Sequence, residues 1–187
     1  MQSKLSPKTY TFLSILIFAG LSQAAVDGIP NFQQVDQHLF RGGQPRPEGF
    51  KYLSSIGVKT IIDLREPDHA KEEERLVKEA GMNYLNVPMT GLTAPTEGEI
   101  SQLLSLMEDS GTGPIFVHCK RGADRTGAVI AAYRIDHDHW SNKQALKEAM
   151  SSGMSFFQYP RQHFIQSFQA RKLEAATSGS VDIVDKN

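Results

Sequence analysis

Residues 115–134 read IFVHCKRGADRTGAVIAAYR, and this stretch decides how the rest of the chain is understood. Ile115 to His118 is a short apolar run of strand length, while Ala128, Val129, Ala131, Ala132 and Ile135 form a nearly continuous apolar surface on a helix beginning near Arg125. A buried strand therefore passes through the loop His118 to Gly127 into a buried helix. Open α/β sheets bind their ligands in such loops, at the C-terminal ends of central strands.

A loop wrapped at a helix N-terminus turns several backbone N–H groups inward, and with the helix dipole they cradle a phosphate dianion. Gly122 lets the loop close without a Cβ. The same positive field favours a thiolate, so Cys119 is expected to have a depressed pKa and to be nucleophilic. Arg125 can bind two phosphoryl oxygens with its planar fork. Thr126 can hydrogen-bond the sulfur, and His118 is expected to fix the loop through its ring rather than act as a base. His118, Lys120, Arg121, Gly122, Ala123, Asp124, Arg125 and Thr126 are thus the candidate substrate-binding residues. A buried Cys or a solvated Arg alone needs no function. Cys, Gly, Arg and Thr-Gly in this order at one strand-to-helix junction point to catalysis.

Working outward, Gln37 to Arg41 reads as a short strand, followed by the turn signal Gly42-Gly43-Gln44-Pro45 and a helix from Pro47 to Ile56. Val58 to Leu64 is a β-branched strand, and Asp68 to Ala80 a charged amphipathic helix closed by Gly81. Met82 to Met89 is the next strand, and Thr96 with Glu99 makes a capping box for a helix to Asp109. Ser141 caps a helix through Met150, and a last helix spans Pro160 to Ala175. Alternating strands and helices predict an α/β fold, a central mostly parallel sheet with helices on both faces.

The 187 residues, 40% of them apolar, suit one domain with an ordinary core. No internal repeat is visible. Lys4 and Lys8 precede an apolar stretch, Thr11 to Leu21, and Ser22-Gln23-Ala24 offers a cleavage site, so residues 1–24 read as a cleaved export signal. That stretch is too short to span a bilayer, which needs about 20 apolar residues. The expected organisation is a signal peptide over 1–24, a domain over 25–176 and a disordered tail over 177–187. The expected location is exported: periplasmic in a Gram-negative bacterium, otherwise secreted. Of the 20 Lys and Arg, Lys4 and Lys8 fall in the signal, which has no acidic residue, so the remainder sets 18 cations against 21 Asp and Glu, a formal charge of −3. Nothing in that balance calls for nucleic acid. Cys119 is the only cysteine, which excludes an intramolecular disulfide.

His-Cys, five residues, then Arg-Thr resembles the signature of the protein tyrosine phosphatase superfamily. LFRGGQP, GVKTIIDLR and YLNVPM extend the likeness over about Phe32 to Phe168. The chain is most similar to the compact dual-specificity type, nearest to small periplasmic bacterial tyrosine phosphatases, then to plant and fungal atypical dual-specificity phosphatases. The resemblance implies a dual-specificity phosphatase-like fold, and a monomer is the expected state. It also implies that Cys119 attacks phosphorus to form a thiophosphate, that Arg125 stabilises the equatorial oxygens, and that no metal or other cofactor takes part. In the family an Asp on a separate loop protonates the leaving oxygen. Here the segment from Met89 to Leu103 holds Glu97 and Glu99 but no Asp. Glu97, Glu99 and Asp124 are the candidate acids, Asp124 because Asp-Arg-Thr resembles the myotubularin-like lipid phosphatases. Arg41, Asp63 and Arg65 can reach the same rim, with structural Arg–carboxylate pairing the favoured reading. The leading expectation is a phosphatase acting on protein phosphotyrosine. An inositol phosphate, pyrophosphate or phosphoinositide substrate is the alternative, and a non-catalytic phosphate-binding module or a rhodanese-like sulfurtransferase stands outside that class.

Overall fold

The computed structural model describes residues 26–171, so the expected export signal, its cleavage site and the tail lie outside the described residues. Five strands form one sheet: β1 (Gln33–Gln34), β2 (Leu39–Gly43), β3 (Thr60–Asp63), β4 (Asn83–Asn86) and β5 (Ile115–Cys119), in the spatial order β1-β2-β5-β3-β4. Only β1 pairs antiparallel. β5 is central and all five of its residues are buried, as a strand with helices over both faces must be.

The alternation of the strands divides the core. Phe40, Ile61 and Phe116 face α1 (Pro47–Ser55) and α2 (Ala70–Glu79), where Phe50, Leu53 and Val77 meet them. Leu39, Ile62 and Val117 face the other side, against α3 (Glu97–Glu108) and α4 (Asp124–Asp136). α5 (Asn142–Ser151) and α6 (Tyr159–Ser167) pack outside α4, through Ala145, Ala149 and Ile165 against Ala128 and Ala131. α4 is thus covered on every side, which explains its unbroken apolar surface. Among the described residues no helix is long and apolar enough to cross a membrane.

The capping box at Thr96 and Glu99 forms, and Ser141 pairs likewise with Gln144. Two expectations are corrected. Gly42 and Gly43 belong to β2 rather than to a turn, because both lie against β5, with Gly43 beside Cys119. The last helix stops at Ser167, not at Ala175: Phe168 is extended, and Asn142 Nδ2 donates to the carbonyls of Ile165 at 2.7 Å and Phe168 at 2.8 Å, holding the chain in its new direction.

Candidate active site

β5 ends at Cys119 and α4 begins at Asp124, so the intervening residues close a loop over the helix N-terminus. Gly122 makes the closure possible. Its φ is +70°, and a Cβ there would lie 2.2 Å from the backbone carbon of Gly42. The loop thus rests on the two glycines of β2, and Gln44 N–H donates to Lys120 O at 3.2 Å.

The Cys119 side chain sits at the floor of this loop, 3% exposed. Burial alone would push the thiol up, but the Thr126 hydroxyl and amide, the Arg125 charge and the Gly122 amide outweigh it and hold the thiol below its ordinary value. The Thr126 hydroxyl is buried and has no other partner among the described residues. Arg125 reaches across the loop, and its Nη1 donates to the carbonyls of Leu64 and Met89, both at 3.3 Å. The arrangement can hold a thiolate beneath an anion, with a guanidinium at the side.

His118 is not in the cradle but beneath it. The expectation that it contacts the phosphate is corrected, because its ring is fully buried, stacks on Phe116 and places Nε2 2.6 Å from Glu73. Arg65 joins the same cluster, bonding Asp63 at 2.6–3.1 Å and also Glu73. Asp63 further accepts from Tyr84 at 2.9 Å. The Arg–carboxylate pairing expected of Asp63 and Arg65 is present, and Glu73, which the sequence did not mark, completes it. The ligand atoms of Asp63, Glu73 and His118 lie within 4.8 Å of one another, with the Arg65 guanidinium among them as the counter-cation. Arg41 is separate from this cluster and lies behind the loop.

The carboxylates considered as acids are placed elsewhere. Asp124 is adjacent to the loop, but Oδ1 accepts from Ser155 N–H at 2.8 Å and Oδ2 pairs with Arg121. It ties the loop to the α5–α6 connection, as a structural carboxylate does. Glu97 is exposed in the first turn of α3 and lines a cleft with Ile100, Phe164 and Arg171, to which no cradle residue contributes. Glu99 is occupied by its capping box, accepting from Thr96 N–H at 2.6 Å. Glu97 thus lines a different cleft from the cradle, while Asp124 and Glu99 are already paired. Lys120 and Arg121 are exposed at the rim.

Arg161 was not legible from the sequence. It is fully buried, and its guanidinium donates to Thr90 O at 2.6 Å and Gly91 O at 3.0 Å, anchoring the segment where an acid loop was sought. Nothing local distinguishes it from a surface arginine of a C-terminal helix. The α5–α6 connection exposes Phe156 and Phe157, and Tyr159 is exposed at the start of α6, with Leu92 exposed on the anchored segment.

A family model described as a DSP-PTPase phosphatase fused to NAD+ kinase matches residues 22–167. Among curated relatives, inositol diphosphatase DSP3 of Arabidopsis thaliana is 26% identical over 142 residues, 74% of this chain and 70% of that protein. The dual specificity protein phosphatase TpbA of Pseudomonas aeruginosa is 28% identical over 130 residues, 69% of this chain and 57% of TpbA. Among solved structures, the core catalytic domain of the PP-IP phosphatase SIW14 from S. cerevisiae superposes with a TM-score of 0.70 at 25% identity, covering 78% of this chain and 89% of that one.

Proposed function

The chain belongs to the DSP-PTPase phosphatase family, and on that premise we propose that Cys119 is the nucleophile of a phosphatase acting on phosphomonoesters whose leaving group departs easily, aryl phosphates such as phosphotyrosine foremost. The observation that carries this reading is the Cys119 thiol, held below its ordinary value at the floor of a loop that a helix N-terminus and Arg125 make an anion cradle.

The reaction follows from that placement. Cys119 Sγ attacks phosphorus, an S–P bond forms and the P–O bond to the leaving group breaks. Water then attacks the thiophosphate, returning the sulfur as thiolate and releasing inorganic phosphate. Loop N–H groups and Arg125 hold the equatorial oxygens, where charge gathers in the transition state. With Asp124 tied and Glu97 and Glu99 facing elsewhere, the leaving oxygen departs with little help. A phenolate, whose conjugate acid has a pKa of about 10, leaves far more readily than an alkoxide. The exposed Phe156, Phe157 and Tyr159 supply apolar surface beside the loop for an aromatic ring.

The same observation supports a second reading. A phosphoanhydride expels phosphate, which needs no proton, and the relatives include proteins named as an inositol diphosphatase and a PP-IP phosphatase. Purified protein assayed on phosphotyrosine peptides, phosphoserine peptides and inositol diphosphates decides between them. Phosphotyrosine turnover well above the other two is expected. Preference for the anhydride would replace the leading reading, and efficient phosphoserine turnover would contradict both.

Export belongs to the proposal as well, supported by Lys4, Lys8 and the apolar stretch from Thr11 to Leu21. Fractionation and N-terminal sequencing of the native protein are expected to find it outside the cytoplasm and beginning at Ala25. A cytoplasmic protein with residues 1–24 intact would remove this part.

A further inference from the structure

Arg41 lies in β2, beside the central strand, and is 1% exposed. A guanidinium so deep costs several kcal/mol unless it is paired, and a carboxylate is the usual partner. Here none bonds it. Its hydrogen bond is from Nη2 to the Gly122 carbonyl, at 2.9 Å, while Nε and Nη1 have no partner among the described residues.

The charged groups that face Arg41 are Glu148 from α5, Cys119 at the end of β5 and Arg134 from α4. Glu148 is committed elsewhere, since both of its oxygens accept from Arg134 at 3.0–3.4 Å. Arg134 carries the wrong sign. The Cys119 sulfur, at the end of the neighbouring strand, is the other negative group that acts on Arg41, and as a thiolate it adds to the counter-charge of the already paired Glu148. Burial draws the Arg41 guanidinium down to about 10, which still leaves it cationic at neutral pH.

Arg41 also has a geometric effect. The Gly122 carbonyl accepts from Arg41 and, at 3.0 Å, from Asn31 Nδ2, both lying behind the loop. In a trans peptide the C=O and N–H point in opposite directions. Drawing this carbonyl outward therefore turns the Ala123 N–H inward, toward the anion.

We propose that Arg41 is a positioning residue for phosphoryl transfer, which from behind the loop orients the Gly122–Ala123 peptide and supplies the cation against which the Cys119 thiolate is balanced. This rests on the reading of Cys119 as the nucleophile. The other charges that act on that sulfur or on its neighbours are Arg125 from α4, Arg161 from α6 and, facing Arg161, Asp124, while His118 of β5 is turned away toward Glu73. None of them touches the Gly122 carbonyl.

Because Cys119 is the only cysteine, its alkylation by iodoacetamide reports this site alone. The alkylation rate is measured against pH for wild type, Arg41→Met and Arg41→Lys, with circular dichroism to confirm folding. The midpoint in Arg41→Met is expected to rise by about one pH unit or more, since a neighbouring cation favours the thiolate on that scale. Arg41→Lys is expected to keep the midpoint near wild type while kcat falls about tenfold with KM little changed, because an ammonium retains the charge but not the fork. A structural residue alone would shift neither quantity in a folded variant. If Arg41→Met does not fold, Arg41→Gln, which keeps a donor toward Gly122, carries the same midpoint test. An unchanged midpoint in the folded neutral variant, or full kcat in Arg41→Lys, overturns the proposal. A wild-type midpoint near the ordinary thiol value of about 8.5 would overturn the nucleophile reading with it.

Discussion

Four groups of the loop and the helix start that follows it favour the Cys119 thiolate: the Thr126 hydroxyl, the Thr126 and Gly122 amides, and Arg125. Replacing the sulfur, Cys119→Ser, is expected to cut kcat by at least ~10³-fold, because an alcohol at this position is not ionised and no base stands beside it, while inorganic phosphate still binds the intact cradle. Residual turnover of a few per cent in a kinetic assay would count against the assignment. Arg125→Lys is expected to lose ~10²–10³-fold in kcat, the usual scale for removing a transition-state anion contact. Thr126→Ala tests the electrostatics. A depressed thiol pKa means that the active thiolate is present above the folded value and lost as pH falls through it. Without the hydroxyl that value rises, so the acidic limb of kcat/KM is expected to move to higher pH, and a profile coincident with wild type would exclude Thr126 from thiol activation. These residues were legible because Cys119, Gly122, Arg125 and Thr126 occupy one loop, where spacing along the chain is spacing in space. Where Glu97 lies was not legible, for the complementary reason. Its chemistry suited an acid, but the side it faces is set by α3 packing on Phe164 and Phe168, which no local pattern shows.

Between elements, the loop is supported by two unlike devices, a charged cluster beneath and a glycine contact behind. In the cluster, burial acts on Asp63 and His118 in the unfavourable direction, but Arg65 still holds the Asp63 carboxyl below its ordinary range and Glu73 holds His118 above its own. The Asp63 contribution to stability is present above the ordinary carboxylate value and lost as pH falls through the depressed one. The His118 contribution is complete below the ordinary histidine value and lost as pH rises through the raised one. The urea midpoint is therefore expected to peak between those limits and decline on the alkaline side. Glu73→Gln is expected to cost about 3–5 kcal/mol, the scale for breaking a buried pair, and to erase that alkaline decline; persistence of the decline would assign it to another group. Behind the loop, Gly122→Ala would drive a Cβ into Gly42 at a positive φ, with an expected loss of about 1–3 kcal/mol or more by thermal unfolding. The sequence showed these elements unequally. Helix starts at Thr96 and Ser141 carry their own capping partners three residues on, so they could be read locally. The two-residue β1 and the end of α6 could not, since pairing with β2 and the Asn142 bonds create them from outside.

Over the whole molecule, a lone cysteine at the site of a phosphatase bears on its durability. With no second cysteine, a Cys119 sulfenic acid has no intramolecular disulfide to form, so peroxide is expected to inactivate the enzyme, with inorganic phosphate slowing the loss by occupying the cradle. Intact-mass spectrometry is expected to show two added oxygens on the Cys119 peptide as thiol-recoverable activity disappears. An unmodified Cys119 under peroxide that oxidises the methionines would mean a protonated or inaccessible sulfur. The site that reacts is itself assembled from distant parts of the chain. Asn31 and Arg41 hold the Gly122 carbonyl across 91 and 81 residues, Ser155 bonds Asp124 from 31 residues downstream, and Arg161 reaches back 70 residues to Gly91. A ribosome that has just released residue 127 has completed the signature but not its surroundings. Until the last two helices emerge and the first strand docks, the cysteine is an ordinary thiol in an open chain, mostly protonated and slow to react. Maturation of the nucleophile is thus coupled to completion of the polypeptide, so a nascent or unfolded chain carries its future catalytic group in a dormant form and gains reactivity only where it folds.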